Sequence, residues 1–404
     1  MHSFLKAHRT VCLRGLSVLL MLIAGAALAQ PIRIGLTGPF TGGSSPMGES
    51  MRNGVRLAVE EINGIGGIHG QMITLVERDD QANNELGAQI AHELVKQKVV
   101  ASIGIVNTGV GLASIDSYQQ ARIPLMIAVS TGSALTRKFA PPASPENFIF
   151  RVSPTIELEA KMLAADLRRK SLSQVAILAD STPYGEAGLS AFSQQARLAG
   201  LKLVFQSRFK IGDTDMRGPL QQARRSGAKA IIAWGIGPEL ASIARTMQGM
   251  QWKAPLLGSW TFSMRNFIEG AGNASEGVLM PQTFIQDAGS TAKNSFLLAY
   301  RRNFNTDLIP SPMSAAQGYD GMHLLALALR QAGSLDGDAL RNSLENLQSR
   351  YQGVITSYEK PFNKADHDAI TANMMLMGRV NGGRVDYAYS EDQQRSALLR
   401  IKQK

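Results

Sequence analysis

The sequence predicts an α/β fold of two lobes, each built on a parallel sheet covered by helices on both faces. Three observations carry that expectation. Short Val- and Ile-rich runs alternate with helical stretches from Ile32 onward. The runs are apolar nearly throughout, as strands buried on both faces are. The strand–helix repeats also exceed what one doubly wound sheet of about six strands takes up, and 404 residues is long for a single core.

Element by element, IRIGLT opens the first lobe and leads into the loop GPFTGGSSPMGES. In GVRLAVEEIN the residues Val55, Ala58, Val59 and Ile62 recur at three- and four-residue spacing, one face of a helix. GIGGIHG then reads as a helix end and turn, since it follows a helix and lacks the last glycine of a dinucleotide fingerprint. MITLVERDD is the second strand, and LGAQIAHELV repeats the helical pattern with Leu86, Ile90 and Leu94. VVASIGIV and PLMIAV follow as strands, each ending in a hydroxyl- and glycine-bearing loop, VNTGVG and STGS. FIFRVSP, around residues 148–154, reads as a strand-like crossing instead of a flexible tether. QVAILAD, LKLVFQSRF and AKAIIAWG continue the pattern beyond it, with loops DSTPYGE and GSWTFS. In open parallel sheets ligands bind past the carboxyl ends of the strands, where such loops converge.

Residues 1–29 stand apart. Lys6, Arg9 and Arg14 precede the apolar run VLLMLIAGAALA, which ends in Ala27-Leu28-Ala29. This is the three-part pattern of a cleaved secretory signal, and the run is short of the ~20 residues a spanning helix needs. The single cysteine, Cys12, leaves with that segment, so the exported chain has no thiol chemistry and no disulfide framework. A composition of 44% hydrophobic and 18% charged residues is that of a globular protein. The net charge of +10 is spread without a basic run, which indicates a solvated basic surface and no nucleic-acid partner.

Catalytic chemistry finds no footing in the motifs. Beyond the signal there is no G-x-S-x-G, and His69, His92, His323 and His367 are scattered without metal-ligand spacing. GPFTGGSSPMG lacks the Lys-Ser/Thr of a phosphate loop, and Asp79-Asp80 at a strand end reads as a cap. No cofactor or metal is expected. A carboxylate, however, needs only hydroxyls and backbone N–H groups at helix starts, which Thr108-Gly109 and Ser130-Thr131-Gly132 supply on adjacent strands.

Taken jointly, IRIGLTGPFTGGSSPMGES, EEINGIGGIHG, the DD after the second strand, IPLMIAVSTGSALT, STPYGEAGL and GYDGMHLLALAL resemble a known family. It is the branched-chain amino-acid-type, leucine-binding-protein-like solute-binding proteins of bacterial ABC importers. The resemblance spans nearly all of the chain after the signal. It implies a type I periplasmic binding fold: two Rossmann-like lobes, three crossings forming a hinge, and solute held in the interlobe cleft. The implied lobes are residues 30–150 plus 282–360 and residues 151–281 plus 361–404. The implied carboxylate grip is Thr108, Ser130 and Thr131, with Tyr184 closing from the second lobe and Met47 forming a wall. Trp260 stands where amino-acid binders of the family place an acid, and a tryptophan attracts an ammonium only weakly. That departure points toward a carboxylate with an apolar or aromatic body stacked by Tyr184, Trp260 and Phe262. Asp320, in GYDG, is an alternative ammonium partner. The implied partners are a small carboxylate solute and membrane permease subunits, for a monomer in the periplasm. A sensor feeding a signalling protein through the same cleft is the alternative.

Overall fold

The computed structural model describes residues 30–398 and 400–402. The signal expected at residues 1–29 lies outside the described residues. No helix among them is long and apolar enough to cross a membrane.

The first sheet contains β1 (Ile32–Gly38), β2 (Ile73–Asp79), β3 (Ala101–Gly104), β4 (Leu125–Ile127) and β5 (Ile149–Arg151). Its order is β2-β1-β3-β4-β5 and every pairing is parallel. Alternate residues face opposite layers, as the period of a strand dictates. Ile103, Met126 and Phe150 share one apolar cluster with α1 (Ser45–Gly64), while Leu125, Ile127 and Ile149 meet α2 (Asn84–Lys96) and α3 (Thr108–Ala121). A cap does open α2, but it is Asn83, whose side chain accepts from the Glu85 and Leu86 amides. Asp79 and Asp80 instead hold the turns at Phe40, Gln81 and Ala82.

The same lobe takes back a later stretch of chain. After a one-turn helix, α4 (Ala134–Arg137), the chain enters the second lobe. The chain then returns with α10 (Thr291–Phe304), α11 (Pro312–Ala332) and α12 (Gly337–Glu345). Helices α1 and α11 approach closely through reciprocal glycines. A Cβ on Gly54 would lie 2.1 Å from the Ala315 carbonyl oxygen, and one on Gly318 would lie 2.4 Å from that of Met51.

The second sheet has the order β14-β13-β10-β9-β8-β6-β7. Its parallel part is β6 (Gln174–Asp180), β7 (Lys202–Phe209), β8 (Ala230–Trp234), β9 (Leu256–Gly258) and β10 (Leu279–Gln282). β13 (Leu376–Asn381) and β14 (Arg384–Tyr387) add an antiparallel edge. Helices α5 (Ile156–Arg169) and α6 (Pro183–Leu198) cover one face with Val175, Ile177 and Ile232. Helices α7 (Arg217–Arg225), α8 (Pro238–Gly249) and α9 (Arg265–Ala271) cover the other with Leu178, Ile231 and Ala233. The α/β fold of two lobes with parallel-dominated sheets is therefore the one expected.

Between the sheets the chain passes three times: after β5, after β10, and in residues 359–375 that follow the small hairpin β11 (Tyr351–Gln352) and β12 (Ser357–Tyr358). The first and third passages are joined. The Arg151 amide donates to the His367 carbonyl and the Ala369 amide to the Arg151 carbonyl, both at 2.9 Å. His367 stacks on Phe150 at 3.9 Å between ring centroids. The fully buried Arg151 side chain donates through Nε (2.9 Å) and Nη2 (2.7 Å) to Asp368 Oδ1.

Candidate functional site

A cleft of about 790 Å3 lies between the lobes at the carboxyl ends of their strands. Ser44, Asn84, Asn107 and Thr108 line it from the first lobe, and Asp180, Tyr184, Gly212 and Glu239 from the second. Asn107 Nδ2 donates to Ser44 Oγ at 3.2 Å, tying the loop after β1 to the start of α3.

Of the strand-end hydroxyls, that of Thr108 belongs to a residue of this wall, while Ser130 and Thr131 are buried and do not line the cleft. Thr108 is the first residue of α3, Ser130 follows β4, and their hydroxyl oxygens are 3.0 Å apart. A Cβ on Gly132 would lie 2.5 Å from Thr108 Cγ2, so glycine is what lets the two loops meet here. The carbonyls of Ser130, Thr131 and Gly132 all accept from the first passage: from Ser153 Oγ (2.7 Å), the Ile156 amide (2.9 Å) and Arg151 Nη1 (2.8 Å). The grip loop is thus fixed to the hinge. The helix that follows it is only the single turn of α4, too short for much of a dipole.

Behind Thr131 stands a residue that the sequence reading passed over. Glu159, on the first turns of α5, is fully buried. Its Oε2 accepts the Trp260 amide at 3.1 Å, and its Oε1 makes no hydrogen bond of good geometry, with the Thr131 hydroxyl beside the carboxyl. Burial pushes its carboxyl up to about 8, against the Trp260 amide and the Thr131 hydroxyl beside it, and the charge of Glu157 adds to the rise. Tyr184 faces the same carboxyl from α6. Burial first, then the charge of Glu159, holds its phenol well above the usual range, so it stays a hydroxyl donor. Its oxygen, and Trp234 Nε1 near it, make no hydrogen bond of good geometry. Thr131 Oγ1 is likewise buried without one.

Thr108, Ser130, Thr131, Tyr184 and the Trp260 backbone therefore converge on one place, with Glu159 among them. Met47 and the Trp260 side chain are placed differently. Both are buried in an apolar cluster with Phe40, Met264, Phe284 and Met313, and neither lines the open cleft. Phe262 is fully buried against Phe267 in the second lobe, away from any stacking position in the cleft. Asp320 is not at the cleft. Its carboxylate, fully buried on α11, accepts from the Val354 (2.9 Å) and Ile355 (3.0 Å) amides and from the Tyr351 (3.3 Å) and Tyr358 (3.0 Å) hydroxyls. Those donors belong to the β11–β12 hairpin, so Asp320 anchors that hairpin and has no free oxygen for an ammonium.

The cleft also carries acids that spacing alone did not single out. Asp180, at the end of β6, accepts from the Thr182 and Gly185 amides through Oδ1, while its buried Oδ2 has no partner among the described residues. Burial raises its pKa. Glu239, in the first turn of α8, accepts the Gly212 amide at 2.6 Å through Oε1 and leaves Oε2 without a partner. No Lys or Arg is among the described residues that line the cleft. The described residues hold no group of three or more metal-ligating side chains.

Thr108 and Tyr184 line the cleft from opposite lobes, while Ser130, bonded to Thr108, and Thr131 are buried and do not line it. The family model for periplasmic binding proteins matches residues 31–384. The chain belongs to that family. It is similar to a Leu/Ile/Val-binding protein homolog from Brucella abortus, at 28% identity over 323 residues, 78% of this chain and 82% of that one. Among solved structures it resembles a type 1 periplasmic binding protein from Bordetella pertussis, with a TM-score of 0.80, 27% identity and coverage of 88% and 99% of the two chains. It also resembles the branched-chain amino acid transporter substrate-binding protein of Streptococcus pneumoniae in complex with isoleucine, with a TM-score of 0.77, 25% identity and coverage of 88% and 98%. This periplasmic binding protein is of the branched-chain amino acid transporter type, and its relatives are solute-binding proteins, not enzymes.

Proposed function

We propose that this binding protein captures a small organic carboxylate in the interlobe cleft, an amino acid or an aromatic or aliphatic acid, and delivers it to the permease of an ABC importer. The observation that supports it most is the cluster of Thr108, Ser130 and Thr131 hydroxyls, anchored through its carbonyls to the hinge and opposed by the unpartnered Tyr184 hydroxyl. Solute that touches both walls favours the closed arrangement of lobes by its differential affinity for that state. The lobes in this reading are residues 30–150 with 282–360 and residues 151–281 with 361–404. The chain works as a monomer in the periplasm after removal of residues 1–29.

The test is solute affinity, measured by calorimetry. Thr131→Ala is expected to weaken binding tenfold or more, a loss of ~1.4 kcal/mol. Unchanged affinity would refute the grip. Recovery of the bound acid unaltered is expected of a receptor.

A further inference from the structure

A second cavity lies at the hinge, apart from the cleft, with which it shares no lining residue. Its volume is about 180 Å3. It opens between the second passage, the β11–β12 hairpin, and the last helix, α13 (Ser390–Ala397), with the residues after it. Two cations line it, Lys293 and Arg400, and among the described residues no Asp or Glu does.

Lys293 is buried on the first turn of α10, where its ammonium donates to Asp287 and lies 5.1 Å from the centre of the Phe284 ring. Tyr387, on β14, donates to the same Asp287 oxygen at 3.1 Å, so that carboxylate is already engaged twice. Arg400 forms no ion pair among the described residues. Its Nη1 donates to the Met374 carbonyl (2.7 Å) and its Nη2 to the Ile355 carbonyl (2.8 Å), which uses two of the five N–H donors of a guanidinium. Burial lowers the pKa of both cations, as it does where compensating charge is short. Thr283, the residue after β10, is 1% exposed and lines the cavity, and its Oγ1 has no hydrogen-bond partner among the described residues. Gly289 and Ser290 line it as well, at the start of the 14-residue α10, where the helix dipole favours an anion.

We propose that this cavity is a second anion-binding site, which takes a small oxyanion, a carboxylate or a phosphate, on Arg400, Lys293 and the Thr283 hydroxyl. The inference does not depend on what the cleft holds. Two cations against the single carboxylate of Asp287 leave positive charge unmatched in a largely buried place, and such charge is costly until an anion meets it. An oxyanion supplies both the charge and the acceptors. Two of its oxygens suit the flat edge of a guanidinium, while the ammonium acts as a point charge and the threonine hydroxyl donates to a third position. The three groups come from separate parts of the chain. Thr283 belongs to the second passage, Lys293 to the returning helix α10, and Arg400 to a terminal segment bonded to Met374 of the third passage. An anion held by all three ties the second passage to the third.

The experiment is calorimetric titration of the mature chain with inorganic phosphate and with acetate, at constant ionic strength and in a buffer free of other oxyanions. The hinge site is expected to bind at least one of the two probes. Arg400→Gln and Thr283→Val should each weaken that binding at least about tenfold. Thr131→Ala, which alters the grip at the cleft, should leave it unchanged. Thr283→Val removes a hydroxyl that the anion-free protein leaves unbonded, so a poorly folding Arg400→Gln does not blunt the test. Binding of phosphate alone assigns a tetrahedral anion and binding of acetate alone a carboxylate, and either supports the site. Binding that survives both Arg400→Gln and Thr283→Val, or that is lost in Thr131→Ala, puts the anion elsewhere and overturns the proposal. Failure of the wild type to bind either probe overturns it too, and leaves the reading of the cleft standing.

Discussion

Replacing Tyr184 by Phe removes one oxygen and nothing else, and the structure assigns that oxygen opposite effects in two measurements. The ring is 5% exposed and packs at 6.2 Å from the Trp234 ring, contacts that Phe keeps. The hydroxyl makes no hydrogen bond of good geometry. A buried hydroxyl left unsatisfied costs ~1–3 kcal/mol, so its removal should leave the solute-free protein as stable as the wild type or up to ~1 kcal/mol more so. Under the proposed function the same hydroxyl donates to the bound solute. A hydrogen bond to a charged group contributes ~1.5–3 kcal/mol, so affinity should fall by at least about tenfold. Urea unfolding without solute and calorimetric titration with it give the two numbers. A residue that merely packs would lower stability and leave affinity alone. Unchanged affinity in Tyr184→Phe would refute the placement of Tyr184 in the site.

Other expectations follow from groups away from the cleft mouth. Arg151→Met should cost at least ~3 kcal/mol in urea unfolding, because it leaves Asp368 only the Thr136 hydroxyl and frees the Gly132 carbonyl at the hinge. Asp320→Asn should lower stability by ~1–3 kcal/mol through the Val354 and Ile355 amides, with solute affinity unchanged. The solute-free protein should lose stability as pH rises from about 5 to 8 and then level off, by up to ~1.4 kcal/mol per pH unit for each unmatched proton. Burial raises Glu159 to about 8, Asp80 to about 7 and Asp320 to about 6, so the native state keeps protons that the unfolded chain has lost. Melting temperatures across that window check the sign, and Glu159→Gln should have the shallower slope.

The fold was legible because its strands are buried on both faces, which leaves continuous runs such as QVAILAD and AKAIIAWG in plain view. The hydroxyl loops were legible for a related reason, since each stands where a strand stops. The acids were not, because what defines them is long-range. Asp320 reads as a polar residue in a helix, and nothing local shows that Val354, Ile355, Tyr351 and Tyr358 converge on it. Glu159 did leave a signal. Ile156, Ala160, Leu163 and Leu167 form the buried stripe of α5, and Glu159 interrupts that stripe with a charge.

A crystal structure of the binding protein with the acid that binds it most tightly tests the central claim most directly. The account predicts the solute carboxylate within hydrogen-bond distance of the Thr108, Ser130 and Thr131 hydroxyls, with Tyr184 over it from the second lobe. A solute seated elsewhere, or one whose carboxylate points away from those three residues, would contradict it.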